Sequence, residues 1–180
     1  GLVIDGIDFS GLGGAGTLFD AQQVEILRGP QGTLHGANAL AGLIDIRTGQ
    51  PEAEPGLRVE AGAAEYDTWS TGIVGTGPLI ADRLLYRLAV NRFESDGFIE
   101  NDHLDRDDTN GQEETTVRGK LRWLPGGHDT IDLTAMLIDI DNGYDAFSLD
   151  NTRHTLSDEP GKDKQDSKAL GLNWQRELNA

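Results

Sequence analysis

The sequence predicts a mainly β chain in two parts, and three observations carry that prediction. Beyond Pro55, apolar residues recur with a period of two over several long stretches. Before it, short apolar runs alternate with glycine and other turn formers. No helical period competes with either pattern.

The first part, residues 1–54, holds Leu2-Val3-Ile4, Val24 to Leu27 and Leu43 to Ile46 as candidate short strands around a small core. Pro51-Glu52-Ala53-Glu54-Pro55 then reads as a linker, because each proline lacks a backbone donor and restricts the residue before it. The boundary is placed there, with residues 55–180 as the second part.

In that second part, Leu57 to Ala64 and Trp69 to Leu79 are the first candidate strands. Leu84 to Arg92 follows, with Leu84, Tyr86, Leu88 and Val90 on one face and Arg87, Ala89 and Asn91 on the other. Thr115 to Trp123 sets Val117, Gly119, Leu121 and Trp123 against Arg118, Lys120 and Arg122. Ile131, Leu133, Ala135 and Leu137 oppose Asp132, Thr134, Met136 and Ile138 less cleanly. Lys168, Leu170, Leu172 and Trp174 oppose Ala169, Gly171, Asn173 and Gln175. About six strands result.

The connections alternate in kind. Leu79 to Arg83 and Pro125 to Asp129 are tight turns, whereas Ser95 to Glu113 and Gly143 to Gln165 are long, polar and acidic. Strands running up and down in sequence put both tight turns at one end and both long loops at the other, as in outer-membrane barrels. Trp123 and Trp174 fall at the short-turn end, where an interfacial aromatic girdle is expected. A soluble antiparallel sandwich or barrel shares the alternation, so patterning alone leaves both architectures open.

Composition narrows the functions. With 31 acidic and 15 basic residues the formal net charge is -16, which argues against binding a nucleic-acid backbone. The chain has no cysteine, hence no disulfide framework, thiolate metal site or cysteine nucleophile. No run approaches the roughly 18 apolar residues of a membrane-spanning helix, a fact that leaves β-barrels untouched. The first residue is Gly1 with no leader-like pattern behind it, so the chain is expected to be mature or a fragment.

Several apparent motifs do not hold. Gly11 to Gly16 satisfies G-x-G-x-x-G, but Thr17 to Leu27 runs into a strand where a dinucleotide site needs a helix. Asp105 to Asp108 and Asp139 to Gly143 lack the EF-hand series, leaving solvated acidic faces with weak cation binding at most. His35, His103, His128 and His154 show no paired metal-ligand spacing, and no G-x-S-x-G elbow occurs. No catalytic residue, metal site or cofactor is expected.

The stretch Val24 to Gly36, VEILRGPQGTLHG, begins as a strand and breaks at Arg28-Gly29-Pro30. Glycines at 29, 32 and 36 permit positive φ or close backbone approach, and Pro30 ends the ladder, so the chain turns sharply. Extended through Thr48, this segment resembles the end of the plug domain of TonB-dependent outer-membrane receptors, iron-complex type. The matches to that family's pattern include Arg28, Gly29, Pro30, Gln31, Gly32, Gly36, Asn38 and Gly42. Upstream, Val3 to Ile7 and Leu18-Phe19-Asp20 look like the preceding strand and the lead-in to the motif. Downstream, Gly77-Pro78-Leu79, Leu84 to Val90 and Asp96 to Asn101 resemble the first barrel strands. His35, Ala41 and Gln50 depart from the usual aromatic, glycine and basic residue at their positions.

The resemblance implies the C-terminal part of a small α+β plug at 1–54, followed by about six strands of an incomplete 22-stranded transmembrane β-barrel at 55–180. It implies active uptake of a scarce substrate, such as a ferric siderophore or other metal chelate, across the outer membrane of a Gram-negative bacterium. The partners implied are outer-membrane lipid and the energy-coupling protein TonB with its inner-membrane motor proteins. Plug arginines in this family pair with glutamates on the barrel wall, which makes Arg28 the candidate plug–barrel latch. Arg87, Arg118, Lys120 and Arg122 become candidate lumen-facing residues, holding acidic plug side chains, guiding an anionic substrate or pairing with carboxylates on neighbouring strands. The competing class is a soluble or surface β protein of adhesin type with weak calcium binding; a β-rich hydrolase lacks a nucleophile and base.

Overall fold

The computed structural model describes residues 1–12, 18–30, 32, 41–126 and 128–178. Every named element among them is a strand, and the twelve strands fall into two main sheets and one small pair. The helical component expected of the first part has no element among these residues.

The first sheet contains β1 (Leu2–Ile4), β2 (Ile7–Asp8), β3 (Ala21–Arg28) and β4 (Gly42–Thr48), in the order β2-β1-β4-β3. Asp5-Gly6 joins β1 to β2 with both residues at positive φ (51° and 80°), the backbone that a two-residue type I′ hairpin loop requires. β1 runs parallel to β4, and β3 antiparallel to it.

The second sheet is wholly antiparallel and contains six strands. These are β5 (Gly56–Ala63), β6 (Trp69–Ile80), β7 (Leu84–Ser95), β9 (Gln112–Gly126), β10 (Asp129–Tyr144) and β12 (Gly161–Arg176). Its order β12-β10-β9-β7-β6-β5 leaves β5 and β12 as edges. The chain changes sheets between Thr48 and Gly56, across the proline-bounded stretch.

One face of this sheet is open and apolar. Leu57, Val59, Ile73, Leu88, Leu121, Leu137, Leu170 and Leu172 are all exposed there. Tryptophans bracket the band. At one end Leu84, Trp123, Ile131 and Trp174 lie in register, and the Trp174 indole donates to Asp129 Oδ1 at 3.0 Å. At the other, Trp69 pairs with Glu94 and donates to its Oε2 at 2.9 Å. The ten residue steps from Leu84 to Glu94 span about 33 Å along a strand, or about 25 Å of height at a tilt near 40°.

The other face is covered by the first sheet. Ile4, Ile46 and Phe9 form one buried cluster with Met136, Ile138 and Ile140 of β10, with Leu2, Ile7 and Ala169 packed beside it. This explains the poor alternation of β10. A strand apolar on both sides is buried on one and open on the other, and here the first sheet sits on the inner row. Burying each of these large side chains contributes about 1.5–3 kcal/mol to holding the sheets together.

The long connections carry structure of their own. β8 (Glu100–Asn101) from the loop after β7 pairs in parallel with β11 (His154–Thr155) from the loop after β10. Asn101, 1% exposed, donates to Asp145 Oδ2 at 2.7 Å and to the Ser157 carbonyl at 2.9 Å, while its Oδ1 accepts from His103 and Leu104. Thr155 Oγ1 donates to the same Asp145 oxygen at 2.8 Å. Asp105 to Asp108 are exposed, as expected of a solvated acidic run, while the two long loops clasp one another around a buried polar node.

His154 Nδ1 lies 3.0 Å from Asp102 Oδ1 and 3.8 Å from Glu100. The hydrogen bond to Asp102 and its charge, reinforced by Glu100 and opposed by partial desolvation and Arg153, raise the His154 pKa above its ordinary value. A raised pKa means the clasp gains stability below the unfolded histidine value and loses it as pH rises through the folded one. Proteolysis of the loop after β10 in the folded protein is therefore expected to be slower at pH 5.5 than at pH 8.5. Asp102→Asn should flatten that difference; an unchanged pH dependence would sink the assignment.

Candidate functional site

The chemistry of the molecule is concentrated where the two sheets meet. Two carboxylates of the first sheet, both on residues at positive φ, project onto the cationic face of the second. Aspartate tolerates this left-handed backbone better than most residues, so each sits in a turn that carries it out of its own ladder.

Asp20, in the turn before β3, has φ 60° and is 7% exposed. Arg87 of β7 grips it with two parallel bonds, Nε to Oδ2 at 2.9 Å and Nη2 to Oδ1 at 2.6 Å. Arg58 of β5 adds a third from Nη2 at 3.1 Å. The bidentate fork fixes orientation as well as charge. Arg87 also reaches the Gln50 carbonyl and Glu52, both at 3.4 Å.

The residue beside it reinforces the grip. The Phe19 ring lies beneath the Arg58 guanidinium, 5.7 Å from ring centre to Cζ. Its carbonyl accepts from Arg118 Nη1 at 3.3 Å. Arg118 is 3% exposed, and its Nε has no hydrogen-bond partner among the described residues.

Asp5 makes the second contact. Its Oδ1 accepts from the Thr48 amide at 2.9 Å and its Oδ2 from the Thr48 hydroxyl at 2.6 Å, tying the β1–β2 turn to the end of β4. Lys120 of β9 completes the set with Nζ 2.9 Å from Asp5 Oδ1 and 3.3 Å from the Thr48 carbonyl. Both partners of this pair are almost fully buried. A charge in such a place needs its partner, because stripping an ion of water costs several kcal/mol unless it is paired.

Arg122 does two things at once. Its shortest bonds stay within the second sheet, Nε and Nη2 to the two Asp132 oxygens at 2.7 and 3.0 Å. Nη2 also reaches Gln50 Oε1 at 3.2 Å, on the segment leaving the first sheet. So Arg87, Arg118, Lys120 and Arg122 all lie on the covered face and all touch residues from the first part of the chain.

The motif residues lie elsewhere. Arg28 ends β3 exposed to solvent and forms no ion pair among the described residues. Gly29 follows it at φ 89°, and Gly42 opens β4. Pro30 and Gly32 are exposed. Gln31, Gly36 and Asn38 lie outside the described residues, as do Gly13 to Gly16 of the glycine run. The residues that sequence reasoning passed over are Asp5, Phe19, Asp20 and Arg58. Asp5-Gly6 carried a hairpin signal, but nothing in the local sequence said what the turn would touch.

Among the described residues no group of three or more His, Asp or Glu is placed to hold a metal ion. The site is a network of charge-assisted hydrogen bonds between two sheets.

No protein-family model matches the chain. The pesticin receptor of Yersinia pestis is 37% identical over 125 residues, 69% of this chain and 18% of that protein. The crystal structure of the ferric yersiniabactin uptake receptor FyuA from Yersinia pestis superposes with a TM-score of 0.79 at 25% identity, covering 89% of this chain and 26% of that one. The FpvA receptor of P. aeruginosa shares the fold, with a TM-score of 0.76 at 19% identity over 98% of this chain and 25% of its own. The chain thus spans about a fifth of its curated relative, and the likeness favours a receptor over a soluble sandwich or adhesin. The chain belongs to the TonB-dependent outer-membrane receptors.

Proposed function

We propose that residues 1–54 are the C-terminal part of a plug, that residues 55–180 are the first strands of a transmembrane barrel wall, and that Asp5 and Asp20 hold the one to the other. The observation that carries the reading is the pairing of these two carboxylates with Lys120 and Arg87 on the covered face, opposite an open apolar band about 25 Å high. The covered face is then the lumen and the open face meets lipid.

Its function is active uptake of a scarce substrate across the outer membrane, with a ferric siderophore or similar metal chelate as the cargo. The relative whose structure is named for ferric yersiniabactin uptake supports that substrate class. The outer membrane stores no nucleotide energy, so the plug must be displaced by a partner reaching from the inner membrane, and TonB with its motor proteins fills that role. Polar contacts suit a part that moves. They are directional when made, and water replaces them when broken, whereas a wholly apolar seat gives nothing back on opening.

The plug–wall contact lies on these described pairs, with Arg28 as a further contact to wall strands beyond those present here. Arg122 is chiefly a wall residue, bonded to Asp132 of the next strand.

Uptake of a radiolabelled iron chelate by cells provides the test. Transport is expected to require both the gene that carries this chain and TonB. Transport that continues without TonB would overturn the reading.

A further inference from the structure

Two glycines of the wall lie directly beneath side chains of the first sheet. A Cβ at Gly72, in the middle of β6, would overlap the edge of the Phe19 ring at Cε2, Cζ and Cδ2. At Gly171, on β12, it would stand 3.0 Å from both Cδ1 and Cγ1 of Ile7. Gly72 lies between Ser70 and Val74 on the covered face, and its φ is not in the left-handed region, so backbone conformation does not call for glycine there. Glycine inside a strand is costly and marks a close approach by another part of the structure.

Phe19 cannot easily step aside. Arg58 lies over its ring, its carbonyl accepts from Arg118, and Asp20, the next residue, is clamped by Arg87. We infer that Gly72 is a socket that receives Phe19 and sets the register of the plug on the wall, with Gly171 receiving Ile7 as a second point. The socket puts Asp20 within reach of Arg87 and Arg58, so steric fit comes before charge pairing. Gly72 is therefore a positioning residue, and it carries none of the charge.

The inference rests on the first sheet being a lumen plug, and the experiment separates the two ideas. Full-length receptor carrying Gly72→Val is assayed for entry of vancomycin into cells, with the heat-modifiable barrel band checked for each variant. Valine is ordinarily preferred to glycine in a strand, so without a socket the change should tighten the wall or do nothing. With a socket, overpacking is expected to raise vancomycin entry about tenfold. Adding Phe19→Ala, which vacates the space valine now fills, should return entry most of the way to that of the parent. Gly75→Val, three residues along β6 with nothing nearer than the Tyr86 hydroxyl at 4.0 Å, should change nothing.

Gly72→Ala serves as the milder variant and is expected to move entry in the same direction. Folded Gly72→Val and Gly72→Ala receptors that exclude vancomycin as well as the parent would overturn the socket. So would loss of the barrel in both that Phe19→Ala does not restore, since Gly72 would then serve the strand and not the ring. Asp20→Asn in the same assay distinguishes the failures. If it leaks and Gly72→Val does not, only the socket falls; if neither leaks, the plug reading falls with it.

Discussion

Replacing Asp20 with asparagine in the full-length receptor is expected to raise the open fraction of the plug about a hundredfold, read as entry of a large antibiotic into cells. The figure follows from the roughly 3 kcal/mol lost when one partner of a buried ion pair is removed. The substitution keeps the size of the side chain, removes the negative charge and one of the two acceptor oxygens that Arg87 grips, and leaves Glu52 at 3.4 Å as its charged partner among the described residues. Arg58 is half exposed and adds less, because water screens it. Asp5→Asn should act in the same direction. It takes away the counter-charge of the buried Lys120 and weakens the two bonds that hold Thr48.

Leu88→Arg is expected to produce the second large effect, at the opposite face. Leu88 lies in register with Gly75 and Gly119, midway up the apolar band, and is 46% exposed in this chain. A cation at the middle of the bilayer costs a transmembrane barrel about 2–4 kcal/mol, whereas the same change on a solvated sheet face costs nearly nothing. The receptor should lose its heat-modifiable band and fall in abundance in the outer membrane. A variant that assembles normally, or grows more soluble, would show that this face meets water. Gly75→Val, on the same face but apolar, is the matching control.

Much of the second sheet was legible because a strand's side chains alternate, so one buried and one open face write themselves as a period of two. Arg87, Arg118, Lys120 and Arg122 stood out for that reason, as did the aromatic end marked by Trp123 and Trp174. What the alternation could not show was a strand apolar on both sides. Met136, Ile138 and Ile140 blurred the pattern of β10 because they seat Ile4 and Ile46, which lie far away in the chain. The same distance hid the contact between the two sheets. Asp20 and Arg87 are 67 residues apart, and Asp20 looks locally like any aspartate in a turn.

The conspicuous motif drew attention to Arg28, since a guanidinium after an apolar run invites a search for its partner. The contacts that form among the described residues come from less conspicuous neighbours, Phe19 and Asp20, at its approach. The long loops hid a contact of the same kind. Asp105 to Asp108 are exposed, as their acidity suggested, but Asp145 is 3% exposed, held by Asn101 and Thr155 from two separate loops. Charge composition reports the average environment of a segment and says nothing of the one carboxylate that turns inward.

A double-mutant cycle between Asp20 and Arg87 tests the central claim most directly. Asp20→Asn, Arg87→Gln and the double variant are compared for vancomycin entry in the full-length receptor, with barrel assembly verified in each. If the two side chains hold the plug through one another, the double variant opens the passage little further than the worse single one, a coupling of at least about 1 kcal/mol. Strictly additive effects, or tight receptors throughout, would contradict the account.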